Sequence, residues 1–241
     1  MATSFADFAE QANPKTLAEA RRASFRQATR VHGSILAAVE KRTLVWLAER
    51  MPTWVNSDHL TILGFGAQIA TGVCYALAAW DRRMLLAAIV CLAVNWFGDS
   101  LDGTLARVRQ KQRPRYGFYV DHMIDSIGAV AMMGGLALSG YMHPVIAIGL
   151  LVAFLLLSIQ SYLATYTIGE FHLSFWRFGP TELRILLAIG NLALFRWAWV
   201  IHGKYRLFDI GGAIGLGGMI LMLVLVSLKN TVRLYREERL P

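Results

Sequence analysis

Four aspartates near the middle of the chain, Asp99, Asp102, Asp121 and Asp125, have the residue type and spacing to do chemistry. The first two are three residues apart and the last two are four apart, so on a helix each pair projects from one face. We expect the two pairs to face each other. Four carboxylates together repel one another unless a cation neutralises them, and all-oxygen ligands suit Mg²⁺ or Mn²⁺. The spacing therefore predicts a divalent metal site that binds a phosphate-bearing substrate.

The sequence around these aspartates is apolar enough to cross a membrane. Of the 241 residues, 56% are hydrophobic and only 17% are charged, against about 25% charged in soluble domains. Runs of about 20 apolar residues span a bilayer, and six are found, at residues 60–80, 84–106, 118–140, 143–168, 183–202 and 208–228. An aspartate in such a span is costly unless it is compensated, which marks a functional site. We therefore predict an all-α, polytopic membrane protein with six transmembrane helices.

The remaining sequence divides around these spans. Residues 1–59 are predicted to form a cytoplasmic N-terminal segment, residues 60–228 the six-helix domain that holds the aspartates, and residues 229–241 a cytoplasmic basic tail. Within the N-terminal segment, residues 34–47 place apolar side chains at helical spacing after a basic run at residues 21–30. This pattern predicts an amphipathic helix lying on the cytoplasmic membrane surface.

The distribution of positive charge predicts the orientation in the membrane. The net charge is +8, with 24 Lys and Arg, and nineteen of these fall in the two terminal segments and in or next to the loops after spans two and four. By the positive-inside rule these parts face the cytoplasm. The basic character is thus explained without nucleic-acid binding. We expect an integral protein of the cytoplasmic membrane whose aspartates lie near its inner face.

Small and basic residues among the aspartates fit a phosphate ligand. Gly103 and Gly117 allow close approach of a ligand or backbone, and Arg107 offers a planar fork for phosphate oxygens. Together with Ala106 they complete the pattern DxxDGxxAR followed by GxxxDxxxD. This pattern resembles the signature of the CDP-alcohol phosphatidyltransferase family, membrane enzymes that make phospholipids. All eight signature positions are filled, and the six-helix layout agrees with the family.

The resemblance implies a reaction. A CDP-linked alcohol or CDP-diacylglycerol would donate its phospho-alcohol or phosphatidyl group to a hydroxyl acceptor, either a lipid or a small alcohol, and CMP would leave. Mg²⁺ or Mn²⁺ would be held by the four aspartates, of which Asp125 would also accept the proton of the acceptor hydroxyl. A homodimer is implied as well. The residues implied in nucleotide and phosphate binding are Asp99, Asp102, Gly103, Ala106, Arg107 and Gly117.

Two further segments indicate a subgroup. Residues 121–126, DHMIDS, resemble the DHxxDS form of eukaryotic choline- and ethanolaminephosphotransferases, and residues 177–182, RFGPTE, are similar to a later segment of those enzymes. His122 and Glu182 therefore become additional candidates. On a helix His122 points about 100 degrees away from Asp121, so an interhelix hydrogen bond and catalysis both stay open. Glu182 near a helix start also complements the helix dipole.

Two other classes of protein place carboxylates in membrane helices. A transporter does so along a pathway through the bilayer, whereas here both acidic pairs flank one predicted cytoplasmic loop. A membrane prenyltransferase uses two aspartate motifs and Mg²⁺ to hold a diphosphate. Its first motif resembles NDxxDxxxD, however, and here Asn95 is followed by Trp96. A phosphatidyltransferase is therefore favoured over both alternatives.

Overall fold

The computed structural model describes residues 29–31, 37–168, 170–172, 180–197, 199–200 and 205–238, and these residues are predominantly helical. Two short strand pairs complete this part of the chain. Strand β1 (Thr29–Val31) runs parallel to β2 (Glu170–His172), and β3 (Trp199–Val200) runs antiparallel to β4 (Tyr205–Arg206). The helices are α1 (Ala37–Arg50), α2 (Ser57–Leu77), α3 (Met84–Val108), α4 (Pro114–Leu138), α5 (Pro144–Thr167), α6 (Pro180–Arg196) and α7 (Leu207–Glu237).

Proline sets several of the helix starts. Pro114 and Pro144 open α4 and α5, and α6 also begins at a proline, Pro180. Proline is favoured at the first helical position because its fixed backbone angle suits the helix and its missing N–H would have no helical partner there. These three helices therefore begin where the sequence places a proline.

Four of the described helices, α2, α3, α5 and α7, are long and apolar enough to cross a membrane. Large apolar side chains on them face outward, such as Val90 and Ile214 with exposed fractions of 63% and 72%, and a bilayer would cover such residues. Helix α6 has 17 residues, about 25 Å of helix against a hydrocarbon core of about 30 Å. Helix α4 carries Asp121 and Asp125. The prediction of six spans is thus supported at four helices, and for α4 and α6 it stays a prediction.

Helix α1 packs against the helical bundle. Leu44 and Ala48 are buried in one apolar cluster with Leu101 of α3, whereas Trp46 on the same helix is exposed. A helix therefore forms over most of the predicted amphipathic segment, and part of its apolar face is buried against protein. Residues 32–36 and most of the basic run at residues 21–30 lie outside the described residues. The placement of α1 on a membrane surface stays a prediction.

Helix α2 lies between the two helices that carry the aspartates. A Cβ on Gly98 of α3 would lie 2.6 Å from the carbonyl oxygen of Leu60, and a Cβ on Gly72 would overlap the backbone of Ala131 in α4. Glycine at these crossings lets the helix backbones touch, as small residues do in membrane bundles. Among the described helices, α3 and α4 pack extensively on α2 and hardly on each other. The distance between the two acidic helices is therefore set by α2.

At the end of the bundle away from the aspartates, polar side chains connect the ends of different helices. Arg82 donates to the carbonyl oxygen of Leu194 at 2.9 Å, and the backbone N–H of His143 donates to Asp209 at 2.5 Å. Helix α7 packs on α5 and continues to Glu237. Most of the predicted basic tail at residues 229–241 therefore continues the last helix.

Candidate active site

Asp99 is held by an arginine from another helix. Arg184 of α6 donates from Nη2 to Asp99 Oδ2 at 2.5 Å and from Nε to Asn95 Oδ1 at 2.8 Å. The Arg184 and Asp99 side chains are only 15% and 25% exposed. Asn95 in turn donates to the carbonyl oxygen of Gly64 on α2 at 2.9 Å. These bonds connect α2, α3 and α6 and fix the direction of the Asp99 carboxylate.

The sequence did not single out Arg184 or Asn95 as site residues. Arg184 counted among the positive charges that predict orientation, and Asn95 served only in the comparison with prenyltransferases. A signal was nevertheless present, because both polar side chains lie next to or inside apolar spans, where such residues are rare and usually functional.

Asp102 is held from α2 and by its own helix. The Thr61 hydroxyl donates to Asp102 Oδ2 at 2.5 Å, and the backbone N–H of Gly103 donates to the other carboxylate oxygen. Thr61 lies one turn into α2. The helix that separates the two acidic helices thus also orients one of the carboxylates.

Asp121 and Asp125 lie half-buried on α4. Asp125 is close enough to Asp99, Asp102, Asp121 and Arg184 for the charges of all four to act on it. The structure therefore brings the four predicted aspartates into one region, with Arg184 as an added cation. Repulsion among the carboxylates is only partly offset by Arg184 and by Arg107, whose charge acts on Asp102.

The small and basic motif residues surround the end of α3. Arg107 is exposed, donates to Thr104 Oγ1 at 2.9 Å, and extends along Gly103, where an added Cβ would lie 3.5 Å from Arg107 Nη1. Ala106 is half-buried on the same helix, and Gly117 is exposed near the start of α4 with open space around it. Arg107 therefore lies exposed at the end of α3, with its guanidinium beside Gly103 and its charge acting on Asp102.

A cavity of about 410 Å³ opens beside Ala106, between the start of α2 and the end of α3. Lys111 and Arg109 give it a basic wall, and Arg113 forms an ion pair with Asp58 across it. Arg109 also donates to the carbonyl oxygen of Pro52 at 2.8 Å, which fixes the turn before α2. The remaining lining residues are Asn56, Ser57, Leu105 and Gln112.

The two additional candidates take different positions. The His122 ring lies against Phe118 of its own helix and against Tyr162 of α5, with ring centroids 4.2 and 5.0 Å away. His122 Nδ1 donates to the Phe118 carbonyl oxygen at 2.5 Å. These contacts are those of a residue that packs α4 on α5. Glu182 lies half-buried in the first turn of α6. Residues 177–179 of the RFGPTE segment lie outside the described residues.

Comparison with known proteins decides among the candidate classes. The sequence model of the CDP-alcohol phosphatidyltransferase family matches residues 54–228, which include all four aspartates. The chain belongs to this family. Archaetidylinositol phosphate synthase from Pyrococcus horikoshii is 34% identical to it over 86 residues, 36% of this chain and 43% of that protein. The match thus spans less than half of that relative, and the predicted family and enzyme class are confirmed by the family model.

Divalent cations serve this family generally, and the donor set of this phosphatidyltransferase fits one. Arg184 and Arg107 offset only part of the charge of the four carboxylates, which leaves negative charge for a hard cation to neutralise. Within the described residues, however, no three Asp, Glu, His or Cys side chains are placed to hold a metal ion together. The residue types therefore agree with Mg²⁺ or Mn²⁺, and the predicted metal site stays a prediction.

Proposed function

We propose that this enzyme transfers a phospho-alcohol or phosphatidyl group from a CDP-linked donor to a hydroxyl acceptor, with Mg²⁺ or Mn²⁺, and releases CMP. The observation that carries the proposal is the position of Asp125, which shares α4 with Asp121 and lies within reach of the charges of Asp121 and of Asp99 and Asp102 on α3. Such a site suits a diphosphate that needs both charge neutralisation and a nearby base.

The four carboxylates divide into two roles. Asp99, Asp102 and Asp121 would chiefly hold the cation, with Asp125 as a further ligand, and the cation supplies neutralisation of the donor diphosphate and of the departing CMP. Asp125 would accept the proton of the acceptor hydroxyl as its oxygen bonds to the attacked phosphorus. The bond from that phosphorus to the CMP oxygen breaks, so CMP leaves with the electron pair.

The donor would enter from the basic cavity. Lys111 and Arg113 line this cavity, and the exposed Arg107 directly follows the lining residue Ala106 in the chain. A negatively charged nucleotide is attracted by these cations, and a guanidinium suits phosphate oxygens. Residue charge alone would therefore place the CDP part beside the end of α3, with the transferred group toward Asp125.

Two donor classes are compatible with this site. The name of the Pyrococcus horikoshii relative denotes the synthesis of an archaetidylinositol phosphate, which makes a CDP-linked lipid with inositol phosphate as acceptor the first pair to test. The DHMIDS segment at residues 121–126 favours CDP-choline or CDP-ethanolamine with a lipid hydroxyl. Both use the same transfer chemistry and differ in which partner carries the lipid.

Donor choice can be measured as CMP release. Purified protein in lipid vesicles with Mg²⁺ or Mn²⁺ would be given CDP-diacylglycerol with inositol phosphate, or CDP-choline or CDP-ethanolamine with diacylglycerol. Acceptor-dependent CMP from one donor identifies the subgroup. Absence of CMP with every donor and acceptor tested, in protein that remains folded, would contradict the proposal.

The role of Asp125 is tested by an isosteric change. Asp125→Asn keeps the side-chain shape but removes the proton acceptor, so we expect turnover to be lost while binding of the CDP-linked donor is partly kept. Asp81→Asn is the matched control, because Asp81 is exposed near the opposite end of α3 and its carboxylate accepts a local hydrogen bond from the backbone N–H of Arg83. Turnover by Asp125→Asn equal to that of Asp81→Asn would refute the assigned role.

Orientation and assembly complete the proposal. The basic residues around the cavity fit the predicted cytoplasmic side of a cytoplasmic membrane. A homodimer would cover part of the exposed apolar surface of α7, where Leu221 and Leu228 are each 59% exposed. The dimer is tested by measuring the mass of the protein in lipid nanodiscs. A protein mass of one chain, 26.8 kDa, would contradict it.

A further inference from the structure

A glutamate outside the aspartate motif joins three helices. One carboxylate oxygen of Glu40 on α1 accepts from Trp96 Nε1 of α3 at 2.9 Å and from Thr181 Oγ1 of α6 at 2.6 Å. The Ser100 hydroxyl of α3 lies 3.5 Å from the same oxygen. Helices α1 and α6 both pack on α3. A single side chain thus ties these two helices to each other and to the helix between them.

The donors to Glu40 lie next to the ion pair of the active site. Trp96 precedes Asp99 by three residues, and Ser100 follows it directly. Thr181 precedes Arg184 by three residues, which is about one helical turn. A displacement of the first turn of α6 would therefore move Arg184 relative to Asp99.

We propose that Glu40 is a positioning residue for the transfer reaction: it holds the start of α6 against α3 and so keeps Arg184 beside Asp99. Helix α1 is thereby part of the structure that orders the site, although none of its described side chains belongs to the aspartate motif. This inference rests on the proposed function only for its effect on turnover. The geometric effect on α6 is independent of which donor the enzyme uses.

Two variants of Glu40 separate the effect of its acceptor oxygen from the effect of its negative charge. Because Glu40 acts here as a hydrogen-bond acceptor, Glu40→Gln keeps the carbonyl oxygen and should keep the three donors in place. Glu40→Ala removes the acceptor altogether. Glu49→Ala is the matched control, because Glu49 is an exposed glutamate on the same helix, so that change removes the same charge and side-chain length from α1.

Turnover gives the first readout. Glu40→Ala should lower kcat by roughly ten- to a hundredfold, since small misplacements of reacting groups carry costs of that order, while the KM for the CDP-linked donor changes little. Glu40→Gln and Glu49→Ala should stay near wild type. In an Arg184→Gln background, Glu40→Ala should cost little more, because residues that act through one another are not additive. Full loss of activity in Glu40→Gln, or additive losses in the double variant, would overturn the proposal.

A distance measurement gives the readout that does not require activity. Spin labels at exposed Lys41 on α1 and Leu186 on α6, with Cys74 and Cys91 replaced by Ala, report the separation of the two helices in vesicles. Glu40→Ala should lengthen or broaden this distance, and Glu40→Gln should not. Thr181→Ala removes only the α6 donor and should show the same change. It replaces Glu40→Ala if that variant is too unstable to prepare.

The two readouts separate the possible failures. An unchanged distance in both Glu40→Ala and Thr181→Ala would refute the positioning role whatever the activity. A changed distance in a protein that releases no CMP from any donor would support the positioning of α6 and count against the proposed function instead.

Discussion

The crossing of α2 and α3 at Gly98 gives the prediction that the structure defines most sharply. An alanine Cβ there would lie 2.6 Å from the Leu60 carbonyl oxygen and 2.7 Å from the Gly64 Cα. Ordinary van der Waals contact begins near 3.4 Å, so the two backbones must separate by about 0.8 Å. Thr61 of α2 donates to Asp102, and Asn95 of α3 donates to the carbonyl oxygen of Gly64, so the separation would strain both contacts and move the Asp99 and Asp102 carboxylates relative to α2.

We expect Gly98→Ala to lower the stability by about 1–3 kcal/mol, the usual cost of overpacking, and to lower kcat by up to about a hundredfold, because a 1 Å misplacement carries that cost. Thermal unfolding in detergent and CMP release measure the two effects. Gly66→Ala is the matched control, because Gly66 is an exposed glycine of α2 with open space around it. It should be neutral or stabilising by about 0.5–1 kcal/mol. Wild-type stability and turnover in Gly98→Ala would refute the close crossing.

Three further predictions follow from the polar contacts. Arg184→Gln should lower kcat/KM by about ten- to a hundredfold, since it removes the charged hydrogen bonds to Asp99 and Asn95; steady-state kinetics equal to wild type would count against this ion pair. Tyr75→Phe should destabilise the protein by about 1–3 kcal/mol, because it deprives the buried Asn191 amide of its acceptor. Turnover per folded molecule should be unchanged, and a melting curve and an activity assay on the same sample test both effects. Removal of divalent cations by a chelator should abolish CMP release, and Mn²⁺ added back should restore it; full activity after dialysis against chelator would contradict the metal requirement.

The sequence predicted the part of the site that depends on local spacing. Asp99 and Asp102 share α3, and Asp121 and Asp125 share α4, because positions three or four apart lie on one face of a helix. Helix positions followed from hydropathy just as directly: the predicted span at residues 143–168 corresponds to Pro144–Thr167. Both results depend only on residues that are close in the chain.

The residues that the sequence did not reveal act across helices. Arg184 reaches Asp99 over 85 positions of the chain, and Glu40 reaches Thr181 over 141. No spacing rule relates such pairs, because their contact depends on how α1, α3 and α6 pack. The last helix also extends beyond the predicted span, since the apolar residues end near 228 whereas the helix continues to Glu237.

The most direct test of the four-aspartate site compares acceptor-dependent CMP release by the wild-type protein with that of Asp121→Asn, in vesicles that contain Mg²⁺ or Mn²⁺. The Asp81→Asn variant controls for the loss of one carboxylate. We expect CMP from wild type and Asp81→Asn, only with donor, acceptor and cation together, and none from Asp121→Asn. Equal CMP release from Asp121→Asn and wild type would contradict the claim that the four aspartates form the transfer site.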